Sequence, residues 1–286
     1  MKIYDCFPFF NELDVLEIRF KEMYNTVDYF VLVESNLSHS GKPKEYIFEN
    51  NKERFAPYLD KVRHIKVDDM PETNDSWVRE KFQRYCIDRG VQDRSPEDII
   101  IVSDCDEIPR AELINIIKDD ENDWDKYILY IPMLEFRINY MKIHDFTKGG
   151  NVMVTRGRAY TNGQMEREFT FPWNQKPKDT VFVEHGGWHF TYLGDDEHAL
   201  TKIVNFAHTE TNIPRFTTDK LTIDFMIQNK CGLLGPTELH KEAFEWVVVD
   251  DYFPECIVND LDRWKHLIIP GAVFRVTDLY REGNNQ

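Results

Sequence analysis

The segment IIIVSDCDEIP, residues 99–109, joins four apolar β-branched residues to three carboxylates. An apolar run of this kind, with acids on both sides, predicts a central strand that is buried on both faces of a sheet. In open α/β sheets, ligands bind outside the carboxyl ends of the strands. We therefore expect Asp104, Asp106 and Glu107 to lie at the ligand-binding edge of an α/β sheet.

Short β-rich runs alternate with helical patterns over the first hundred residues, which predicts a parallel or mixed α/β sheet. The predicted strands are residues 2–6, 29–33, 62–67 and 99–102, and a helix is predicted over residues 76–89. The rest of the chain is less regular, but it contains no internal repeat, low-complexity tract or linker. One domain with elaborations is therefore expected over residues 1–286.

The charge balance excludes some classes of partner. The chain has 51 Asp and Glu against 35 Lys and Arg, a formal net charge of -16. This excess disfavours nucleic acid or an anionic membrane as the main partner, because both repel a negative surface. An anionic small molecule stays compatible, since a metal ion or an arginine cluster can override the overall field locally.

The remaining composition predicts a cytoplasmic protein without a membrane-inserted segment. No apolar run approaches the ~20 residues that cross a bilayer. Polar residues interrupt the first fourteen positions, so no secretion signal is expected. The five cysteines form no CxxC pair and are interpreted as reduced thiols.

The acids that follow the apolar run suggest a metal site. Asp104 and Asp106 alternate, so on an extended backbone they point to the same side. Carboxylates this close repel one another unless a cation or an arginine lies between them. Such oxygen ligands suit Mg²⁺ or Mn²⁺, which also hold phosphate oxygens. The alternative is an acidic turn whose Asp side chains cap the next helix, with Pro109 in its first turn.

The segment WVREKFQR, residues 77–84, precedes the apolar strand and has two interpretations. On a helix, residues four apart share a face, and Arg79 or Arg84 could reach a diphosphate. The alternative is a solvated helix face that carries ion pairs.

Two later segments add candidate groups. In HGGWHF, residues 185–190, Trp188 could stack on a sugar and His189 could complete a metal shell; the alternative is a core histidine beside aromatic packing. In GDDE, residues 194–197, a carboxylate could act as a general base toward a hydroxyl. The alternative there is structural, because acids at a helix N-terminus are stabilised by the helix dipole.

Several motifs that would indicate other chemistry are absent from the sequence. The chain contains no GxGxxG, P-loop, HExxH or GxSxG motif. Dinucleotide oxidoreduction, P-loop NTPase activity and nucleophile-elbow hydrolysis are therefore unsupported.

Five blocks occur together and in order along the chain. They are YDCFPFFNELD (4–14) with LEIR (16–19), VLVES (31–35) with GKP (41–43), WVREKFQR (77–84), SDCDEIP (103–109) and GWHF (187–190). Jointly, over about residues 3–210, they resemble glycosyltransferase family 17. Since the sequence shows no membrane anchor or stem, a soluble bacterial or viral member of that family is expected.

The resemblance implies a GT-A-like fold, which is a Rossmann-type mixed sheet flanked by helices. Residues 1–135 would form the half that binds the nucleotide sugar, and residues 136–286 the half that faces the acceptor. The implied reaction is an inverting, metal-dependent transfer of GlcNAc from UDP-GlcNAc to a glycan hydroxyl, as in β-1,4-N-acetylglucosaminyltransferases. The implied partners are thus a nucleotide-sugar donor and a glycan acceptor.

The resemblance and the patterns above also assign roles to single residues. The expected ligands of Mn²⁺ or Mg²⁺ are Asp104, Asp106 and His189. The expected donor-binding residues are Phe7, Phe10, Glu34, Arg79, Arg84, Asp104 and Trp188. The expected catalytic base is Glu197, with Asp195 and Glu107 as alternatives.

Two other functions remain open from the residues. A phosphotransferase of the haloacid dehalogenase type also has a DxD motif after an apolar strand, although this chain has Ile108 where that class normally has Thr or Val. A non-catalytic carbohydrate- or cation-binding module could use the same acids together with Trp188.

Overall fold

A mixed seven-stranded sheet forms the centre of the structure, a computed structural model that describes residues 1–143, 151–163, 179–205, 223–233 and 243–283. The strands are β1 (Ile3–Phe9), β2 (Tyr29–Ser35), β3 (Val62–Val67), β4 (Ile99–Val102), β5 (Glu107–Pro109), β6 (Lys126–Tyr130), β7 (Met133–Glu135), β8 (Tyr140–Ile143), β9 (Asn151–Arg156), β10 (Thr180–Val183), β11 (Gly187–Thr191) and β12 (Ala243–Trp246). The helices are α1 (Leu13–Met23), α2 (Ile47–Asn50), α3 (Ser76–Tyr85), α4 (Ala111–Lys118), α5 (Asp196–Asn205), α6 (Ile223–Gln228), α7 (Glu255–Val258), α8 (Leu261–Trp264) and α9 (Val276–Gly283). None of the helices in these ranges is long and apolar enough to cross a membrane.

The strand order of the central sheet is β10-β6-β9-β4-β1-β2-β3. Neighbours in the run β4-β1-β2-β3 are parallel, and β9 is antiparallel to both β4 and β6. The expected Rossmann-type mixed sheet flanked by helices is therefore confirmed. Because β1, β2 and β4 are parallel neighbours, their carboxyl ends lie at one edge of the sheet.

Strand β4 is central, as its four apolar residues predict. Each of these residues is fully buried. Ile99 and Ile101 pack in the core on the α1 side, while Ile100 and Val102 pack with Cys6 on the opposite face. The strand is thus covered on both faces, which is the physical reason for an apolar run without polar alternation.

A second, five-stranded sheet has the order β12-β8-β7-β11-β5. Its strands come from the part of the chain where the sequence pattern is irregular. Strand β11 lies between β5 and β7, so that His189 pairs with Glu107 on one side and with Met133 on the other. Strand β5, which begins at the last acid of the turn after β4, belongs to this second sheet.

Two local expectations for residues 103–111 are wrong. The backbone at Asp104 and Asp106 is a turn rather than an extended segment, because the amide N–H of Glu107 donates to the carbonyl oxygen of Asp104 at 3.0 Å. The aspartates also do not cap helix α4. That helix begins at Ala111, whose N–H donates instead to Oε1 of Glu22 at 2.9 Å.

Candidate active site

A cavity of about 570 Å³ lies where the carboxyl ends of β1, β2 and β4 meet one face of the second sheet. This is the edge at which ligands bind in open α/β sheets. Six of the residues predicted for the site line the cavity: Phe10, Arg84, Asp104, Asp106, Glu107 and His189.

A buried arginine, Arg19 of α1, shapes the acidic turn in the cavity wall. Its Nη1 donates to the carbonyl oxygens of Asp104, Cys105 and Glu107 at 2.7, 3.1 and 3.0 Å. Its Nε donates to Asp5 Oδ2 at 2.8 Å, and both side chains of that ion pair are fully buried. Burial opposes the charge of Arg19, but the Asp5 carboxylate is strong enough to raise the pKa of the guanidinium. The buried Arg19 guanidinium, which the sequence patterns did not identify as part of the site, therefore stabilises the shape of the turn.

Asp106 is held by two basic side chains. Lys202 Nζ lies 2.6 Å from Asp106 Oδ2, and His189 Nε2 lies 3.6 Å from Oδ1. Lys202 also lies 3.2 Å from Glu12 Oε1. Burial alone would raise the pKa of Asp106, but Lys202 and His189 hold it well below its usual range. Burial likewise disfavours the charged form of Lys202, but Asp106 and Glu12 raise its pKa above the ordinary value, so Asp106 and Lys202 are both charged.

Asp104 has a different partner. Its Oδ1 lies 2.6 Å from Arg84 Nη2, and Arg84 Nε donates to Glu80 Oε1 at 2.6 Å. Arg84 and its neighbour Gln83 are buried. The alternative of a solvated helix face is therefore wrong for this end of α3, where the side chains form part of the cavity wall.

The metal-binding side chains in the cavity suit a divalent cation if a phosphate-containing ligand binds with it. Among the residues that the structure describes, no three His, Cys, Asp or Glu side chains are arranged to hold a metal ion. Asp106 and His189 nevertheless offer two donors that Mn²⁺ accepts. Mg²⁺ commonly binds through one or two carboxylates together with substrate phosphates. The residues thus fit a cation that binds with a phosphate-containing ligand.

One face of the second sheet forms the other wall of the cavity. Met133 and Glu135 of β7, and His189 and Thr191 of β11, line it at alternate positions, as the two-residue period of a strand requires. Glu135 is buried, and its Oε1 accepts the amide N–H of Leu233 at 2.8 Å.

Glu135 and three other wall or turn residues were missed by the sequence analysis, although each has a weak local signal. Glu135 is a lone carboxylate between Leu134 and Phe136. The other three residues each stand at helical spacing from apolar residues, which indicates that they lie on a buried helix face. They are Glu12, Arg19 and Lys202, all buried.

Three predicted donor-binding residues lie behind the cavity wall. Trp188 is buried and its indole N–H donates to the carbonyl oxygen of Tyr252 at 3.0 Å, because alternate residues of β11 face opposite sides and His189 takes the cavity side. Phe7 packs in the core against the Arg19 guanidinium. Glu34 is buried at the end of β2, where it accepts the Phe48 N–H at 3.0 Å and pairs with Lys44 Nζ at 3.4 Å.

The other predicted residues also lie outside the lining. Arg79 donates from Nη1 to the carbonyl oxygen of His39 at 2.9 Å, and from Nη2 to that of Thr73. Asp195 is exposed and accepts the His198 N–H at 2.9 Å, the structural role that its place before α5 favours. Glu197 is exposed in the first turn of α5.

Comparison with known sequences agrees with the family resemblance. The sequence profile of glycosyltransferase family 17 matches residues 1–231. Over 116 residues the chain is 30% identical to β-1,4-mannosyl-glycoprotein 4-β-N-acetylglucosaminyltransferase of Homo sapiens, a match that covers 38% of this chain and 22% of the human protein. The protein of the same name from Mus musculus is 29% identical over the same coverage. The chain therefore matches 22% of the length of these curated relatives.

Solved structures show only a distant similarity. A mannosyltransferase from Pyrobaculum calidifontis in complex with GDP-Man and Mn²⁺ has a TM-score of 0.38 and 11% identity, covering 71% of this chain and 62% of that chain. TarS from S. aureus has a TM-score of 0.34 and 11% identity, covering 77% of this chain and 71% of that chain. At these TM-scores the similarity supports no assignment of activity.

Proposed function

Because this chain belongs to glycosyltransferase family 17, we propose that it transfers a sugar from a nucleotide-sugar donor to a hydroxyl group of a glycan acceptor. The observation that carries the proposal is the position of the turn at Asp104 and Asp106. It forms a wall of a cavity at the carboxyl ends of parallel strands, and the same cavity is lined by Glu135, a buried carboxylate. Residues 1–135 would bind mainly the donor, and residues 136–286 would face the acceptor.

The donor side of the proposal uses the cavity residues from the central sheet. Phe10, Arg84 and Asp104 line the cavity and would contact the nucleotide part of the donor. Four other predicted residues would act through their neighbours: Glu34 through Lys44, Arg79 through the loop at His39, Phe7 through Arg19, and Trp188 through the strand that carries His189. UDP-GlcNAc is the proposed donor, since the curated relatives are named as N-acetylglucosaminyltransferases.

The proposed cofactor is Mn²⁺ or Mg²⁺, which Asp106 and His189 would hold with Asp104 beside them. When bound, a divalent cation there would offset the negative charge of the departing nucleoside diphosphate. Arg84 and Lys202 supply further positive charge in the same wall. Because carboxylates pair with both of these side chains, the local site for an anionic ligand on a protein with a net charge of -16 would need the cation as well.

An inverting transfer needs one carboxylate as a general base. The acceptor oxygen forms a bond to the anomeric carbon, the bond from that carbon to the diphosphate oxygen breaks, and the carboxylate takes the hydroxyl proton. We assign this role to Glu135, which is buried in the cavity wall. Glu107 also lines the cavity and, like Glu135, accepts one backbone N–H, that of Asp104 at 2.9 Å. Because this bond lies within the turn that carries Asp104, we assign Glu107 to holding the turn and keep it as an alternative base. Glu197 and Asp195 stay as alternatives for an acceptor that extends beyond the cavity.

The test is a transfer assay with the purified protein. It is incubated with Mn²⁺, a panel of UDP- and GDP-sugars, and mannose-containing glycans, and both the released nucleoside diphosphate and the acceptor mass are measured. We expect transfer from UDP-GlcNAc that is lost in chelator and in Asp106→Asn. The matched control Asp262→Asn alters a carboxylate that is 98% exposed and should keep the wild-type rate.

Other outcomes would point to other functions. Phosphate release from simple esters without sugar transfer would indicate a phosphotransferase. Sugar binding without turnover would indicate a carbohydrate-binding module. Transfer exclusively from another nucleotide sugar would retain the glycosyltransferase assignment and refute the GlcNAc donor.

A further inference from the structure

A buried lysine lies against the second aspartate of the cavity turn. Lys202 Nζ is 2.6 Å from Asp106 Oδ2 and 3.2 Å from Glu12 Oε1. The lysine belongs to α5, Asp106 follows β4 and Glu12 precedes α1, so three separate parts of the chain meet there. All three side chains line the cavity, where an entering ligand can reach them.

The cluster places one ammonium between two carboxylates. Attraction between opposite charges is strong where water is excluded. The lysine side chain nevertheless has a flexible four-carbon stem and three rotatable donors, so its ammonium can change partners while α5 stays in place. A diphosphate group in the cavity would present the ammonium with several anionic oxygens at once, whereas each carboxylate presents a single negative charge.

Lys202 also competes with any cation for Asp106. The ammonium already occupies Oδ2, and like charges held close together repel one another. A divalent cation that binds alone must therefore displace Lys202 or lie beside it. A diphosphate removes this conflict, because it gives the ammonium another partner and gives the cation further oxygen ligands.

We propose that Lys202 is a diphosphate-binding residue that rests on Asp106 until a nucleoside diphosphate enters, so that the diphosphate and a divalent cation bind with positive coupling. The inference rests on the proposed function, since it takes the nucleotide-sugar cavity as its site. It adds to that function a specific phosphate contact and a linkage between two ligands, each of which must strengthen the binding of the other by the same factor.

Direct binding measurements test the coupling without turnover. Mn²⁺ binding is followed by electron paramagnetic resonance, and the binding of UDP and inorganic pyrophosphate by calorimetry. In the wild type, saturating UDP should tighten Mn²⁺ binding by about tenfold or more, within the usual range of coupling between sites. This effect should be weaker in a protein that lacks the Lys202 ammonium, because only the additional oxygen ligands of the diphosphate then link the two binding events.

The informative variant is Lys202→Met, with Lys265→Met as control because Lys265 is 76% exposed. Without the ammonium, Asp106 and Glu12 are free to attract a cation, so Mn²⁺ alone should bind about tenfold tighter. In chelator, UDP and pyrophosphate should each bind about tenfold more weakly, because their cationic partner is gone. The control should change none of these affinities.

A second variant covers the case in which Lys202→Met fails to fold, which circular dichroism would show. Glu12→Gln removes one negative charge beside Lys202, while its amide oxygen can still accept the N–H groups of Phe10 and Asn11. Pyrophosphate in chelator should then bind about threefold more tightly. The removed carboxylate no longer repels the anion, and it no longer attracts the Lys202 ammonium away from it.

The outcomes separate the two proposals. If UDP binds the wild type but neither Lys202→Met nor Glu12→Gln alters pyrophosphate binding, the role of Lys202 is overturned and the proposed function stands. A Lys202→Met protein that folds and binds Mn²⁺ alone no more tightly also overturns the coupling. If the wild type binds neither UDP nor pyrophosphate, with or without Mn²⁺, the proposed function itself fails.

Discussion

Arg19 and Asp104 are joined across 85 residues of chain, with Nη1 of the arginine donating to the carbonyl oxygen of the aspartate at 2.7 Å. The same nitrogen donates to the carbonyl oxygens of Cys105 and Glu107, so that one buried guanidinium binds three carbonyl groups of a single turn. Asp5 balances its charge. The acidic side chains of the turn can therefore face the cavity while the carbonyl groups face the core.

Arg19→Met should destabilise the protein by about 3–5 kcal/mol, because it leaves the Asp5 carboxylate buried without a counter-charge. Chemical denaturation measures the loss, and Arg275→Met, at a side chain that is 62% exposed, is the control. The double variant Arg19→Met with Asp5→Leu should recover part of the stability but not UDP binding, since the turn still lacks its donor. Full UDP affinity in that double variant would show that Arg19 does not shape the site.

Glu135→Gln should lower kcat by about 10²–10⁴-fold, the usual contribution of a general base. UDP affinity should stay near that of the wild type, because Glu135, as the proposed base, would contact the acceptor hydroxyl rather than the nucleotide. Steady-state kinetics and UDP calorimetry give the two quantities. The comparison set is Glu107→Gln, Asp195→Asn and Glu197→Gln. If the large loss of kcat falls on one of these variants and spares Glu135→Gln, the base has been assigned to the wrong carboxylate.

Gly187→Ala should disrupt the pairing between β5 and β11. A Cβ atom at residue 187 would lie 2.0 Å from the carbonyl oxygen of Ile108, so the strands must separate. Overpacking of this kind costs about 1–3 kcal/mol, and the shift should also reduce activity, because the pairing sets Glu107 beside His189.

The control for this strand variant is Gly271→Ala. Residue 271 has a positive φ of 80° but nothing within 4 Å of an added Cβ. The substitution should therefore cost about 1–2 kcal/mol through backbone strain at residue 271, without moving any neighbouring element. Thermal melting should show a loss in both variants, and the transfer assay a loss in Gly187→Ala alone. Equal activity in the two would show that the strand pairing does not position the site.

His198 should make the stability of the protein depend on pH. Burial lowers the pKa of its imidazole, and Nε2 has no hydrogen-bond partner among the residues that the structure describes. The unfolded chain therefore binds the proton more readily, so stability is lost as pH falls below the unfolded value of about 6.5. Denaturation at several pH values should show a slope of at most about 1.4 kcal/mol per pH unit from this residue.

His198→Leu should reduce that slope, whereas His266→Gln, at an exposed position, should leave it unchanged. His39 and His185 also have pKa values lowered by burial, so some pH dependence should persist in His198→Leu. A slope that is identical in His198→Leu and the wild type would contradict the assignment.

Local pattern was sufficient for the four parallel strands β1 to β4 of the sheet and for the acids at its edge. Four consecutive β-branched apolar residues predict a buried strand wherever they occur in an α/β chain, and β4 has the predicted bounds. Asp104, Asp106 and Glu107 follow it directly, so their place at the carboxyl edge follows from the chain direction alone. The family could be identified from the sequence for the same reason, since each block of the resemblance is a short contiguous segment.

The orientation of side chains at the site could not be read from single segments. Trp188 and His189 are adjacent in a motif that favours both as ligand contacts, yet only His189 lines the cavity. The register of β11 between β5 and β7 determines which of the two side chains faces the cavity. Likewise, the alternation of Asp104 and Asp106 suggested an extended segment, whereas the structure has a turn whose carbonyl oxygens accept from the distant Arg19.

Residues 1–109 thus contained enough short-range information to predict the class of the fold, the strand that leads to the site and the acids at its end. The charges that surround those acids come from α1, α3, α5 and the second sheet, at separations that range up to 96 residues for Lys202 and Asp106. Such pairs form because packing excludes water and leaves each buried charge in need of a partner. Propensity and periodicity describe neighbours along the chain, whereas the choice of ionic partner depends on which elements pack together in space.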